Sequence, residues 1–262
     1  MGGHVCRMID THTHLNDPKY EDDLEPVIAR AVGAGVERMI VCGYDAESSN
    51  RAVELAERYE AVYAAVGVHP HDASRFNPVI EGEIRQLAKR DKVVAIGEIG
   101  LDFHYDFSPR PNQVAVLERH LVMAEDLGLP VIVHSRDADR EILQVTAGHA
   151  SKLAGCVFHC FLSDEDQAQA ALELGFFIGI AGPVTFKGSS TLRRVVEICP
   201  MDRLLIETDC PYMAPAPFRG KRNEPANVTY VVEGIARIRG VSVDSVAEAT
   251  TRNARGLFAR MQ

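Results

Sequence analysis

The regular alternation of short apolar runs with helical patterns constrains the fold of this chain more than any other feature. Eight runs of six to eight residues are almost continuously apolar, which is typical of strands buried on both faces of a parallel sheet. These predicted strands cover residues 5–11, 38–43, 61–68, 93–99, 130–135, 156–161, 176–182 and 204–209. Helical patterns occupy residues 24–32, 49–59, 80–89, 113–127, 164–174, 190–198, 226–239 and 243–260.

This order of elements indicates the α/β class and a (β/α)8 TIM barrel, in which each strand is followed by a helix. A doubly wound open sheet is the structural alternative. The chain has 262 residues and no Pro- or Ser-rich linker, so we predict a single domain over residues 1–262. A proline-rich loop at 211–225 follows the eighth predicted strand, and two further helices come after it.

Charge and cysteine usage narrow the class of protein. With a net charge of −9, the chain does not suit the coating of nucleic acid or anionic membrane, so a phosphate-bearing ligand must be bound by local basic residues or metal. Residues 1–8 lack a signal-peptide pattern and no apolar run reaches roughly 18 residues, which predicts no membrane association. Six cysteines occur without a CxxC pair, which predicts reduced thiols and a cytoplasmic location; four lie in apolar runs, namely Cys6, Cys42, Cys156 and Cys160.

The histidines are concentrated where a barrel enzyme carries out its chemistry. Catalytic groups of such barrels lie at the C-terminal ends of the strands and in the loops that follow. Seven of the ten histidines fall at these predicted positions: His12, His14, His69, His71, His104, His134 and His159. A random placement would spread them over helices and loops alike, so this distribution predicts a functional site.

Six of the strand-end side chains are suitable metal donors. His12 and His14 are two residues apart in an extended segment, so both imidazoles can face one ion. Glu98 lies among apolar residues and glycines, where a carboxylate is costly to bury unless it is paired or bound to metal. The remaining donors, His134, His159 and Asp209, each follow an apolar run.

Six donors exceed the needs of one tetrahedral site and predict two divalent cations about 3.5–4 Å apart. Mixed nitrogen and oxygen donors suit zinc, manganese, iron or nickel, and magnesium less well. Asp209 is also placed to accept a proton from an attacking water, whereas we expect Asp102 to orient a neighbour and Glu207 to face a polar part of the barrel. The alternatives are a structural HxH pair, a Glu98 paired with Arg or Lys, and core histidines at 134 and 159.

The sequence resembles the TatD family of metal-dependent hydrolases, within the wider amidohydrolase superfamily. The matching segments occur in order over almost the whole chain, at residues 8–17, 67–72, 97–106, 131–139, 158–161, 207–215 and 219–225. The resemblance implies that the six donors are the metal ligands, with Glu98 bridging, and that His69 acts on the substrate close to the metals. Together with His69, Asp209 and Glu98 are the implied catalytic residues. Phe103 stands where many relatives have tyrosine, and Glu98 replaces the carbamylated lysine of other superfamily members.

The resemblance also implies a deoxyribonuclease, in which a metal-activated water attacks a DNA phosphodiester and leaves a 5′-phosphate. We expect the substrate to be single-stranded DNA or strand ends, because the net charge disfavours duplex coating. Basic loop residues are candidates for phosphate contacts: Arg136, Lys187, Arg219, Lys221 and Arg222. A solvated loop with an arginine paired to Glu224 is the alternative. Four side chains are candidates for stacking on bases or for packing of the loops: Phe103, His104, Tyr105 and Phe161.

Two other functions fit parts of the same pattern. A metal-dependent hydrolase of a small ester or amide, such as an aminoacyl ester on tRNA, needs the same barrel and metals, and the acidic net charge is compatible with it. A non-catalytic binding protein on a barrel scaffold would have lost some of the donors, and all six are present. The sequence leaves the oligomeric state open, a monomer included.

Overall fold

The computed structural model describes residues 7–261 and shows one sheet of eight parallel strands. Each strand pairs with the next in sequence order. The strands are β1 Met8–Thr13, β2 Val36–Cys42, β3 Val62–Val66, β4 Val93–Asp102, β5 Val131–Arg136, β6 Cys156–Phe158, β7 Phe177–Ile180 and β8 Leu204–Ile206. This sequential order confirms the (β/α)8 barrel, because a doubly wound sheet reverses its strand order. The first residues of the predicted strand 5–11, and Cys6, lie outside the described residues.

Helices follow the strands around the barrel. They are α1 Leu24–Gly33, α2 Ala46–Arg58, α3 Pro78–Leu87, α4 Arg110–Leu127, α5 Asp139–Ala147, α6 Glu165–Glu173, α7 Ser190–Ile198, α8 Val228–Arg239 and α9 Val243–Leu257. Local chemistry sets several of their ends. Asp45 and Ser48 form a capping box at the start of α2, and Gly128 ends α4 in a left-handed conformation with φ of 61°. Helix α5 has no counterpart among the predicted helices.

Side chains as well as backbone close the barrel between its first and last strands. An isolated bridge joins Thr13 to Cys210, and the Asp209 amide donates to the His12 carbonyl at 3.0 Å. Below them, the Asp10 carboxylate accepts from both the amide and the hydroxyl of Thr208, at 2.9 and 2.6 Å. The closure thus fixes the ends of β1 and β8, from which three of the predicted donors project.

Two apolar clusters stabilise this arrangement. The larger one lies between the strands and the surrounding helices. The smaller one takes side chains from the interior of the barrel, including Ile9, Ile40 and Leu205, and joins them to Phe258 and Met261 at the end of the described chain. Because these C-terminal residues pack near the start of the strands, they close the end of the barrel opposite the predicted site.

The structure of residues 7–261 bears on two sequence features, namely apolar helices and cysteines. Within this part of the chain, none of the helices is both long and apolar enough to cross a bilayer. The five cysteines it contains are free thiols; Cys42 and Cys156 are buried as predicted, and Cys160 is half-buried.

Candidate metal centre

Three of the predicted donors meet where β1 and β8 end. The Nε2 atoms of His12 and His14 are 3.1 Å apart, as expected for neighbours of the same parity on an extended segment. Asp209 Oδ1 lies 3.7 Å from His12 Nε2 and 3.5 Å from His14 Nε2. Asp209 has a positive φ of 53°, a left-handed conformation that Asp adopts more readily than most residues. The three side chains are buried and form a group able to hold a cation.

The other three donors are Glu98 in the middle of β4, His134 in β5 and His159 directly after β6. Glu98 Oε1 lies 3.0 Å from His134 Nδ1 and 2.8 Å from His159 Nε2. The two imidazole nitrogens are themselves 3.4 Å apart. Glu98 also approaches the first group, because its Oε2 atom lies 3.5 Å from the Nε2 atoms of both His12 and His14. The two oxygens of one carboxylate therefore face two different pairs of imidazoles, which adjoin where the rings of His12 and His159 stack with centroids 3.8 Å apart.

The spacing and burial of these donor atoms show whether the residues can hold a metal. Donor atoms of three residues approach within 4.8 Å of one another in three overlapping groups, each containing Glu98 or Asp209. Among residues 7–261, the ion-pair partners found for Glu98 are histidines, so pairing with Arg or Lys does not explain its burial. Buried nitrogen and carboxylate donors at this spacing are the set that divalent transition metals prefer. The described site can therefore hold metal.

Strong mutual interactions shift the protonation of this group when no cation is considered. Burial opposes the ionisation of Glu98, but the charge of His159 and the hydrogen bonds from His12 and His134 outweigh burial and hold its pKa well below the ordinary value. Burial also disfavours charged His159, yet Glu98 and Glu207 raise the pKa of this imidazole well above its ordinary value. The carboxylates are thus ionised, and protons on the imidazoles balance their charge. A divalent cation would compete with these protons for the imidazole nitrogens.

His69 lies beside these donors but differs from them in its hydrogen bonding. Its Nε2 atom is 3.6 Å from Glu98 Oε1, while its Nδ1 atom accepts a hydrogen bond from the amide of His71 at 3.2 Å. Burial lowers the pKa of His69 well below the ordinary value, so the ring is neutral and carries its proton on Nε2. His69 also belongs, with Glu98 and His134, to one of the three groups whose donor atoms could hold a cation, so its expected action on the substrate stays a prediction.

Outer contacts fix the orientation of the donor imidazoles. Asp102 Oδ2 lies 3.2 Å from His134 Nε2, so Nε2 carries the proton and Nδ1 is left for a metal. His14 Nδ1 is similarly occupied by the carbonyl of Cys42 at 3.1 Å. Glu207 Oε1 lies 3.5 Å from His159 Nδ1, so this glutamate pairs with an imidazole inside the barrel. The expected orienting role of Asp102 thus has a geometric basis.

The basic residues expected at phosphates have different environments. Arg136 is the last residue of β5 rather than a loop residue, and its guanidinium lies 4.7 Å from the Tyr105 ring. Lys187, Lys221 and Arg219 are exposed, the last with its guanidinium 4.7 Å from the Phe186 ring. These four positions remain candidates for phosphate contacts.

Two expectations for the basic loop are wrong. Arg222 donates two hydrogen bonds to the carboxylate of Asp23, at 2.7 and 2.6 Å, and a third to a backbone carbonyl, which leaves it little capacity for phosphate. Glu224 pairs with Arg30 at 2.7 Å instead of with an arginine of its own loop. Both partners come from the segment around α1, about two hundred residues earlier in the chain.

The aromatic candidates also separate into available and unavailable side chains. Phe161 is only 8% exposed and belongs to the apolar core, which favours packing of the loops over stacking on bases. Phe103 is half-buried and packs against the same core, and His104 is exposed with its Nδ1 atom 2.9 Å from Asp137. Tyr105 is 49% exposed, and Phe107 is 67% exposed. Phe107 was not among the residues predicted from the sequence. The signal available in the sequence was its position two residues after Tyr105, on the same loop.

Comparison with known proteins identifies the family. Residues 9–259 match the family model described as TatD related DNase. The chain is 43% identical to the metal-dependent hydrolase YabD of Bacillus subtilis, over 96% of this chain and 98% of that protein. It is 38% identical to the 3′-5′ ssDNA/RNA exonuclease TatD of Salmonella typhimurium, over 96% and 98% of the two chains. The crystal structure of YjjV, a TatD homologue from Escherichia coli, superposes with a TM-score of 0.92 at 35% identity, covering 97% and 99%. The chain therefore belongs to the TatD-related DNase family of metal-dependent hydrolases.

Proposed function

We propose that this protein is a dinuclear metal-dependent nuclease that hydrolyses phosphodiester bonds of single-stranded DNA or of strand ends. The observation that carries the proposal is the placement of Glu98, whose two carboxylate oxygens face two different pairs of imidazoles. A bridging carboxylate of this kind suits two cations better than one. Membership of a family of metal-dependent hydrolases supports the same reading.

The proposed ligands divide between two positions. His12, His14 and Asp209 would hold one cation with Glu98 Oε2. His134 and His159 would hold the other with Glu98 Oε1. Two divalent cations, whether Zn, Mn, Mg, Fe or Ni, would activate a water molecule for attack and neutralise the developing charge on phosphate.

The protein's own side chains supply the remaining steps. Asp209 is placed to accept the proton of the attacking water, because its carboxylate is ionised and held beside the imidazoles. His69 presents a protonated Nε2 near Glu98 and can donate a hydrogen bond to a phosphate oxygen. The half-buried Arg136 and the exposed Lys187 and Lys221 would bind neighbouring phosphates of the strand.

The relatives supply the substrate class in this proposal. TatD of Salmonella typhimurium is named as a 3′-5′ exonuclease of single-stranded DNA and RNA, so we include RNA among the substrates to be tested. The free thiols of residues 7–261 support the proposed cytoplasmic location. Hydrolysis of an aminoacyl ester, which the sequence also allowed, gains no support from these relatives.

Cleavage of labelled single-stranded DNA in the presence of manganese or magnesium tests the nuclease. We expect the wild-type protein to cleave, and expect His134→Ala and Asp209→Asn to be at least about 100-fold slower, because each removes a donor of one proposed cation. His149→Ala is the matched control, since His149 pairs with Glu125 far from the centre. Absence of cleavage by the wild type, or equal rates for the three variants, would contradict the proposal, and a much higher specificity constant for acyl esters would replace it.

Elemental analysis of protein purified without chelator tests the number of cations. Two ions per chain are expected for the wild type, falling in Glu98→Gln because both positions share this carboxylate. One tightly bound ion in both proteins would show that Glu98 does not bridge. This measurement needs no activity and identifies the native metal directly.

A further inference from the structure

Two exposed aromatic rings lie beside the candidate metal centre and take no part in the chemistry described above. The rings of Tyr105 and Phe107 are stacked, with centroids 5.2 Å apart and planes inclined by 23°. Phe107 is the more exposed of the two, at 67% against 49% for Tyr105. A large solvent-exposed aromatic surface next to a functional site indicates a ligand-binding surface.

The loop that carries the pair is held in place on both sides of it. The amide of Tyr105 donates to Asp102 Oδ1 at 2.9 Å. On the other side, the hydroxyl of Ser108 donates to the His71 carbonyl, and the buried amide of Gln113 donates to the Ser108 carbonyl, both at 2.8 Å. The rings are therefore presented by an ordered backbone, and a ligand that binds them needs to order little of the protein.

Only one layer of side chains separates the pair from the proposed cations. The His71 ring contacts both aromatics, with centroid distances of 5.5 Å to Tyr105 and 4.8 Å to Phe107. The same imidazole pairs with Asp102, which holds His134 against Glu98. A group stacked on the rings would thus be a near neighbour of the bond being hydrolysed.

A positive charge accompanies the rings. The guanidinium of Arg136 lies 4.7 Å from the centroid of the Tyr105 ring. His104, the other basic group on this loop, is paired with Asp137. A ligand that combines a flat aromatic group with an adjacent anion would satisfy both the stack and the arginine, and a nucleotide has this combination.

We propose that Tyr105 and Phe107 form a stacking platform for one unpaired nucleobase of the substrate strand, with Arg136 binding the adjacent phosphate. The proposal rests on the nuclease function above and adds a source of its specificity. A base can stack on the platform only when it is free of its complementary strand, so the platform favours single strands and frayed ends over intact duplex.

Binding of short single-stranded oligonucleotides tests the platform. A series in which one abasic nucleotide is moved along the strand is titrated against protein carrying Asp209→Asn, so that affinity is measured without turnover. We expect one abasic position to weaken binding by about 5- to 150-fold, the range for loss of one base stacked on an aromatic side chain. Phe107→Leu, in the same background, should abolish this position dependence, and Phe107→Trp should retain it because it keeps a ring.

The control is Val32→Ala, which removes an exposed apolar side chain near the C-terminal end of α1, away from the site. It should show the same position dependence as the parent protein. Equal sensitivity to the abasic nucleotide in Phe107→Leu and its parent would overturn the platform while leaving nuclease activity of the wild type intact. A wild type that neither binds nor cleaves the strands would overturn both proposals, whereas base-dependent binding without cleavage would support the platform alone.

Discussion

At the scale of single residues, Asp102 determines which nitrogen of His134 is available to a metal. Its carboxylate is buried and lies close to His134 Nε2 and His71 Nε2, at 3.2 and 3.0 Å. We expect Asp102→Asn to weaken metal binding or activity by about 10- to 100-fold, because a neutral amide no longer favours the required tautomer of His134. Metal titration and initial rates of cleavage would measure the loss.

Asp126→Asn is the matched control for this substitution. Asp126 is half-exposed and pairs with Arg85 at 3.0 Å on the outside of the barrel, so the exchange of a carboxylate for an amide should leave metal affinity within about twofold. If the two variants bound metal equally well, Asp102 would have no part in orienting His134. The melting temperature of Asp102→Asn would separate this effect from misfolding.

The structure brings the six candidate donors together, as the sequence predicted, because each of them follows an apolar run and the ends of parallel strands meet on one face of a barrel. Prediction from the sequence failed where side chains from distant segments pair with each other. The partner of Arg222 is Asp23, and that of Glu224 is Arg30, in both cases across about two hundred residues. Such contacts depend on the path of each loop over the barrel, which local patterns do not describe.

At the scale of elements, Thr208 contributes a side-chain hydrogen bond to the junction between β1 and β8. The Thr208 hydroxyl donates to the buried carboxylate of Asp10 at 2.6 Å. Thr208→Val keeps the shape but leaves this carboxylate oxygen without a donor, so we expect a loss of about 1–3 kcal/mol in the free energy of unfolding. Urea denaturation of the metal-free protein would measure it.

Thr250→Val provides the comparison. Thr250 is equally buried in α9, but its hydroxyl donates to the Val246 carbonyl of its own helix, at 2.9 Å. The Val246 carbonyl also accepts a backbone hydrogen bond within the helix. The loss in the free energy of unfolding should therefore be smaller than for Thr208→Val. Equal losses in the two variants would show that the β1–β8 junction does not depend on the Asp10 contact.

Helix α4 introduces a pH dependence through His120. This imidazole is buried with its Nδ1 atom 2.8 Å from the Val116 carbonyl, and burial lowers its pKa to about 4 from 6.5. Above pH 6.5 both folded and unfolded chains keep the ring neutral. Below that pH the unfolded chain takes up a proton that the folded chain does not, so stability falls between pH 6.5 and about 4, by roughly 2 kcal/mol at pH 5.

Urea denaturation of chelator-treated protein at about pH 7.5 and pH 5 would measure this change, with His120→Gln as the comparison because glutamine does not titrate. The other titrating groups are shared by the two proteins and cancel in the difference. We expect the wild type to lose about 2 kcal/mol more than the variant. The same pH dependence in both would show that His120 is protonated as readily in the folded protein as in the unfolded chain.

The predicted elements agree with the structure in type and order, with instructive differences in extent. The sixth predicted strand ends early, at Phe158, because Cys160 turns the chain with φ of 44°. The eighth ends at Ile206, before the turn at Asp209. Helix α5 was not among the predicted helices, although it buries two residues, as many as α6 and more than α3, which were both predicted.

At the scale of the whole molecule, the proposed cations would link five of the eight strands. The donors come from β1, β4, β5, β6 and β8 or the residues that directly follow them. Since the assembled site exists only in the folded chain, metal at about 100 times its dissociation constant should stabilise the protein by about 2.7 kcal/mol, or a melting temperature about 5–10 °C higher.

Calorimetry before and after treatment with chelator would test this stabilisation. Adding metal back should restore the melting temperature of the wild type, and should restore it less in Glu98→Gln, which lacks the shared carboxylate. A melting temperature indifferent to metal in the wild type would mean that the donors bind no cation tightly.

The contacts that join β1 to β8 also decide when during synthesis the centre can form. His12 and His14 are translated early, but the carboxylate that completes their group arrives with Asp209, after almost the whole barrel. Asp10 likewise meets Thr208 only once the last strand has been made. A chain that ends before residue 209 therefore lacks part of the donor set and, on the proposed mechanism, is inactive.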